Sequence, residues 1–440
     1  MMRSFLFKGL FTTAALFSMT FAQNARIDAL GGINIISDPG KIFYLPGYMN
    51  QYPDLIQATG GTGSASFIGI KSIGEMINLG IAGTRNSVLT EDFYENTISR
   101  INGLTTQIDI NEQMPLAPHV LFGLDLDIIQ LGVDLFLELN KAKYSYKAEE
   151  SSGDINEKAR VSNFGAVVNA NINAGDFIFS PVFGISFPSM KRKYEAGDET
   201  VENKLEKGSF LKAGLEAGMP FFSADWKIGL IFNLLRYQMD ENDNIQINNV
   251  TNAYAGFETE ILGDVLFTGL YNLGISNYKD KPDSSNPTIN KVRGINHFIA
   301  LGLEKDLEDV WIFDMLTVRG GINWIIGDRV DITKNDDARL RIDYAADQSD
   351  FNPTVGLGLS KGIFTFDILS NLGSWTGILS GPPVVAATVT LDFGGSTGSG
   401  TRPSTTVQEP EPQPLFPSQE PTPPPQQEYD YNSGGSDFSF

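Results

Sequence analysis

Acidic and basic residues recur at alternate positions within apolar stretches of this 440-residue chain. Asp125 and Asp127 stand between Leu124, Leu126 and Ile128, while Asp134 and Glu138 alternate with Val133, Leu135, Leu137 and Leu139. Lys212 and Glu216 alternate with Leu211, Ala213, Leu215 and Ala217, and Lys227, Glu258, Glu260, Glu304, Arg319 and Asp367 have similar settings. Carboxylates grouped this way can bind a divalent cation, trade protons, or set the charge of a passage for solutes.

The first two chemistries find little support. His119 and His297 are the only histidines, too few for a His-based metal site or an acid–base triad. The absence of cysteine excludes thiolate sites, a thiol nucleophile, a lipidated cysteine and disulfides. The Gly-x-Ser-x-Gly match at Gly394 to Gly398 lies in a Gly/Ser-rich tail rather than on a strand–turn–helix. Acid-rich segments around Glu149, Asp198, Asp240 and Asp336 lack the EF-hand spacing, so they read as solvated loops. No catalytic residue, metal ligand or cofactor is expected, and the chain does not read as an enzyme.

The alternation also says what must position these charges. Only a strand sends successive side chains to opposite faces, and a one-residue slip at Ile128-Ile129 marks a hairpin. Matching pairs follow at Phe164 to Ile172 with Phe177 to Phe187, Leu211 to Met219 with Trp226 to Leu234, and around Gly263, Asp306 and Gly362. Each strand carries about ten alternating residues, the length needed to cross a hydrocarbon core, against about five in soluble sheets. Very short turns near Ser72, Ile129, Ala174, Phe221, Gly263, Asp306 and Lys361 alternate with long polar segments at 86 to 117, 148 to 158, 190 to 207, 240 to 248, 278 to 291 and 329 to 350. This sorting of connections predicts an all-β fold, a transmembrane antiparallel up-and-down barrel of about 14 to 16 strands. The first crossing is assigned to Ile27 to Ile36, and a mean hydropathy of -0.11 is no objection because only alternate residues meet lipid.

The charges above then line the lumen, with Gly132, Gly165, Gly214, Gly256 and Gly358 leaving room. That lining is polar and negative, suited to cations or neutral polar solutes. Tyr144, Tyr146, Tyr194, Trp226, Tyr237, Trp311 and Trp324 are candidates for interfacial girdles. Basic Arg3 and Lys8, an apolar stretch from Gly9 to Phe21 and Thr20-Phe21-Ala22 read as a signal peptide over 1–22. Residues 23–62 form an N-terminal strand or hatch-like segment, 63–393 the barrel, and 394–440 a disordered Pro/Gly/Ser-rich tail. The net charge of -21 argues against nucleic acid.

Asn24 to Asn50 carries Ala29-Leu30-Gly31-Gly32, Asp38 and Leu45-Pro46-Gly47, and so resembles the start of the FadL-like and PorV-like superfamily of Gram-negative outer-membrane barrels. The Asn-Pro-Ala element of that family is absent, and the similarity covers only the N-terminal tenth. In such relatives this segment can form a hatch; a first strand with a loop in the barrel mouth is the expectation here. Val384 to Phe393 likewise resembles a closing strand whose terminal aromatic, Phe393, is read by the barrel-assembly machinery. These resemblances imply export to the outer membrane, with its lipid and lipopolysaccharide as surroundings. The expected function is passive passage of small polar solutes or envelope structure. The alternatives are a PorV-like barrel that binds a periplasmic or secreted protein, or a FadL-like transporter of hydrophobic compounds.

Overall fold

The computed structural model describes residues 25–30, 32–36, 38–61, 65–84, 117–146, 155–196, 199–204, 207–238, 245–262, 264–281, 289–335, 338–372 and 385–393. The expected signal peptide and tail lie outside these residues, as do the side chains of Tyr144, Tyr146 and Tyr194.

Period-two alternation makes strands throughout. They are β1 (Leu55–Gly61), β2 (Ala65–Ile73), β3 (Ile77–Thr84), β4 (Ala117–Leu126), β5 (Ile129–Tyr146), β6 (Ile155–Ala174), β7 (Phe177–Ala196), β8 (Glu199–Lys204) and β9 (Lys207–Phe221). They continue as β10 (Ala224–Gln238), β11 (Ile245–Ile261), β12 (Val265–Lys281), β13 (Ile289–Glu308), β14 (Met315–Asn335), β15 (Ala338–Lys361), β16 (Phe364–Asn371) and β17 (Val385–Asp392). Every pairing between them is antiparallel, and β1 pairs with both β2 and β17, which closes the sheet on itself. The short β8 pairs only with the outer end of β7, and β7 then pairs directly with β9, so the ring is an up-and-down barrel of 16 strands. Closure leaves no open edge in the 16-strand ring itself, which is what a strand needs if it is to sit in hydrocarbon.

The two faces divide as the alternation predicts. Leu135, Leu137, Phe164, Val168, Ile228 and Leu230 are exposed on the outside, whereas Asp134, Asn163, Asn169 and Asn233 between them are buried inside. Strand lengths depart from the expectation. β6, β7 and β13 each run 20 residues and β15 runs 24, whereas β16, β17 and β1 have 8, 8 and 7. Much of 190 to 207, 278 to 291 and 329 to 350, expected as loops, is therefore paired strand. Apolar alternation stops where the outer face no longer meets hydrocarbon, but ladder hydrogen bonds continue without it.

The N-terminal segment differs most from its expectation. Ile27 to Ile36 is not a strand: Ala25–Ala29 forms one helical turn, α1, and Pro39–Phe43 and Pro46–Gln51 form two 3-10 turns. Ile27, Leu30 and Ile33 lie three apart, a helical rather than a strand spacing, and the missing crossing is supplied by β1. Asp38 caps the first 3-10 turn by accepting from the Gly40 N–H at 2.8 Å. Ile27, Leu30, Ile33, Ile36, Ile42 and Met49 have no exposed surface at all. A segment this short can bury that much apolar surface only by entering the barrel. No helix among the described residues is long and apolar enough to cross a membrane, which does not bear on crossing by strands.

Candidate functional site

The candidate site is the interior of the barrel where the N-terminal segment meets the wall. Two apolar clusters set its position. Ile27, Leu30, Ile33, Ile35 and Ile36 pack with Leu270 and Ala300, flanked by Tyr254 and Phe298. Ile42 to Leu45, Tyr48, Met49 and Tyr52 pack with Ile68, Leu121, Phe136, Val167, Val182, Phe210, Leu235 and Tyr237. Each fully buried Leu or Ile contributes about 1.5–3 kcal/mol relative to exposure, so seating the segment as a plug is apolar in its main driving force. The wall makes room where side chains are missing. A Cβ on Gly132 would overlap the Pro46 carbonyl and the Gly47 nitrogen, and one on Gly256 would overlap Ile35.

Charges then fix orientation. Arg26 on α1 forks onto Glu304 of β13, with Nε to Oε2 at 2.9 Å and Nη2 to Oε1 at 3.0 Å. Arg319 of β14 donates to the same Glu304 Oε2 at 2.6 Å and also pairs with Asp367 of β16. Four strands away on β9, Lys41 Nζ and the Tyr48 hydroxyl each donate to Glu216 Oε1 at 3.0 Å, and Tyr254 donates to Oε2 at 2.7 Å. Lys227 donates to the Ile35 carbonyl and pairs with Glu258 at 3.3 Å. Backbone contacts complete the seat. The Gly47 N–H donates to Asn169, Asn50 donates to the Leu131 carbonyl, Thr354 donates to the Ala29 carbonyl, and the Ala25 nitrogen donates to Thr388. Burial holds the Asp28 carboxyl well above the ordinary carboxylate range, with the nearby Asp38 charge adding to it. Burial likewise raises the Tyr48 and Tyr52 phenols, so both stay protonated, and Tyr48 donates to Glu216.

The twelve charges expected along the lumen are distributed unevenly. Asp134, Glu138, Lys212, Glu216, Glu304, Arg319 and Asp367 are buried inside, and Lys227 and Glu258 are partly buried beside the plug. Asp134 faces His119 Nδ1 at 2.9 Å, Glu138 accepts from Asn163 at 3.4 Å, and Lys212 donates to the Tyr44 carbonyl at 3.2 Å. Asp125 sits at the short-turn end, where Gln130 donates to it at 3.1 Å, and Glu260 lies near the exposed end of β11. Asp127 occupies the β4–β5 turn itself, exposed and with φ of 59°, because a two-residue turn requires a residue that tolerates the left-handed region. Phe393 follows β17, and its N–H donates to the Asp54 carbonyl at 3.0 Å.

The expected negative lining is therefore largely matched by cations, two of them, Arg26 and Lys41, carried in by the plug. Sequence reasoning missed both cations, and it also missed the inward apolar set of Leu121, Phe136, Val167, Val182, Phe210 and Leu235. Adjacent apolar pairs such as Val167-Val168 and Leu234-Leu235 were the available signal, since they place greasy side chains on both faces. Tyr237, expected in a girdle, points inward with 2% exposure, whereas Trp324 faces outward.

No protein-family model and no curated protein matches the sequence. Among solved structures, CdiB from Acinetobacter baumannii aligns at 8% identity and TM-score 0.40, over 77% of this chain and 59% of that one. The Pseudomonas putida toluene transporter TodX aligns at 10% identity and TM-score 0.42, over 84% of this chain and 97% of its own. OmpT, an outer membrane protein of Vibrio cholerae, aligns at 8% identity and TM-score 0.32, over 77% and 94%. The chain spans about three fifths of the length of the CdiB chain it matches.

Proposed function

We propose that this protein is an outer-membrane channel held closed by its own N-terminal segment, and that solute passes only when residues 25–52 leave or shift within the barrel. The observation that carries this reading is the seating of that segment against the wall through two separate buried ion pairs, Arg26–Glu304 on β13 and Lys41–Glu216 on β9. The apolar outer face supports a membrane setting, because burying it in hydrocarbon is the alternative to leaving many large side chains in water. In this reading the short turns face the periplasm and the long strands rise on the outside, the arrangement of such barrels. The wall beside the plug combines Leu121, Phe136, Phe210 and Leu235 with the charged and asparagine positions. That mixture suits small amphipathic molecules better than simple ions, so an always-open pore for polar solutes is the weaker reading.

Planar-bilayer recording with the full chain tests this. The native protein is expected to be quiescent, and Arg26→Met with Lys41→Met is expected to give frequent openings. Steady conductance from the native protein at the level of the double variant would refute it.

A further inference from the structure

The short-turn end of the barrel carries an unusual crown. Met76, Ile128, Phe222, Leu262, Trp311 and Ile363 each occupy a different short turn, and all six are exposed. Phe222, Leu262 and Trp311 are 86%, 90% and 89% exposed, the extremes for the large hydrophobic residues described. Their backbones are at φ of 50°, 53° and 59°, in the left-handed region that favours glycine or asparagine. Bulky apolar residues thus occupy positions where local geometry favours Asn or Gly, and among the described residues they stay almost wholly exposed, Phe222 touching only the edge of its neighbour Phe221 among the rings. Apolar surface presented this way marks an interaction site rather than a stability device.

The crown is set in acid. Glu75, Asp127, Glu308, Asp309 and Asp314 lie in or beside the same turns and Asp176 in the neighbouring β6–β7 turn, against Lys71, Lys305 and Lys361. Two of those lysines are already paired within the rim, Lys71 with Asp54 and Lys305 with Asp264, and Lys361 donates to the Ile312 carbonyl. Charge decides among occupants. A phosphate-bearing lipid surface would set like charge against like, and a second copy would oppose acid to acid. The chain's own residues 394–440 carry Glu409, Glu411, Glu420, Glu428, Asp430 and Asp437 against a single Arg402, so their charge does not complement this rim.

We propose that the short-turn crown is a docking surface for a protein partner that presents basic residues interleaved with apolar ones. The apolar tips would enter partner pockets while the surrounding carboxylates meet lysines or arginines, which speeds and orients association.

The test uses the full chain in nanodiscs of neutral phosphatidylcholine, with a synthetic peptide of alternating lysine and leucine as the probe. Barrel-containing discs are expected to bind the peptide at least tenfold more tightly than empty discs. That gain should disappear in the Leu262→Ser, Trp311→Ser variant and in the Glu308→Lys, Asp309→Lys variant. Phe222→Ser alone, expected to lower binding severalfold, serves if a paired variant fails to fold. Binding equal to that of empty discs, or a gain that survives these substitutions, would overturn the proposal. Discs of brominated phosphatidylcholine supply the second readout, the emission lost on Trp311→Phe. Unquenched Trp311 emission that shifts to the blue with peptide is expected; quenching by the brominated chains would place the crown in lipid and overturn the proposal as well.

Discussion

Replacing Arg26 by methionine should loosen the plug by an amount that the structure bounds. The guanidinium and its carboxylate partner are 5% and 3% exposed, so the Arg26–Glu304 pair is desolvated on both sides. Removing one partner of a buried pair costs about 3–5 kcal/mol because the remaining charge is left uncompensated. Glu304 keeps Arg319 at 2.6 Å, so the lower end applies, about 3 kcal/mol. At about 1.4 kcal/mol per tenfold, the population with the plug unseated should rise about a hundredfold. The chain has no cysteine, which makes a single introduced thiol a clean reporter. Ile36→Cys places it at a position with no exposed surface, and labelling by a membrane-impermeant maleimide then reads the unseated fraction. The rate in Arg26→Met, Ile36→Cys should exceed that in Ile36→Cys about a hundredfold. Removal of the surface pair by Lys191→Ala should leave the rate unchanged, since its partners are 62% and 50% exposed. A rate within threefold of the reference for Arg26→Met would refute the view that this pair holds the plug.

Gly132→Val should unseat the plug by overlap with Pro46, at about 1–3 kcal/mol for overpacking, and should raise channel opening in bilayers; Gly60→Ala, where nothing lies within 4 Å, should not. Asp28 makes seating pH-dependent. Its carboxyl stays protonated in the seat to a pH well above the ordinary carboxylate range, whereas in the released segment it ionises near about pH 3.9. Seating therefore binds a proton, and it weakens as pH rises from about 4 until the seated carboxyl itself ionises. The open fraction should climb over that window in the native chain and should be flatter and lower in Asp28→Asn, as single-channel recording across pH will measure. Leu230→Arg, on the outer face in the middle of β10, should cost about 2–4 kcal/mol of folding stability in vesicles by urea titration. A loss under about 0.5 kcal/mol would mean that this face does not meet lipid.

The barrel was legible because its signal is local and repeated. Leu135 and Leu137 against Asp134 and Glu138 fix a strand and its faces without knowledge of the partner strand, and short turns fix the hairpins. The ends of the strands were not legible, since in β15 hydrogen bonding continues through residues with no apolar period. The plug was the larger miss. Its helical turn is too short for a periodic signature, and its burial depends on wall residues hundreds of positions away, as in Ala25 with Thr388. The same distance hid the use of the inward charges: Glu304 and Glu216 read as lining until Arg26 and Lys41 arrive beside them. Phe136 and Val167 were passed over because they break a polar parity that the plug, rather than water, fills.

The central claim is that residues 25–52 lie inside the barrel against these particular walls. A cysteine pair at Met49→Cys and Gly123→Cys tests it most directly. A Cβ at position 123 would stand 2.9 Å from the Met49 Cγ, the place a sulfur at position 49 would take, and would press on Asn50 Oδ1, a side-chain end that must swing aside, unlike the backbone that Gly132→Val would meet. Mild oxidation of the full-length variant in membranes should give near-complete intramolecular cross-linking, seen as a mobility shift that reductant reverses. Two thiols that stay reduced under oxidation and react freely with maleimide would contradict the account.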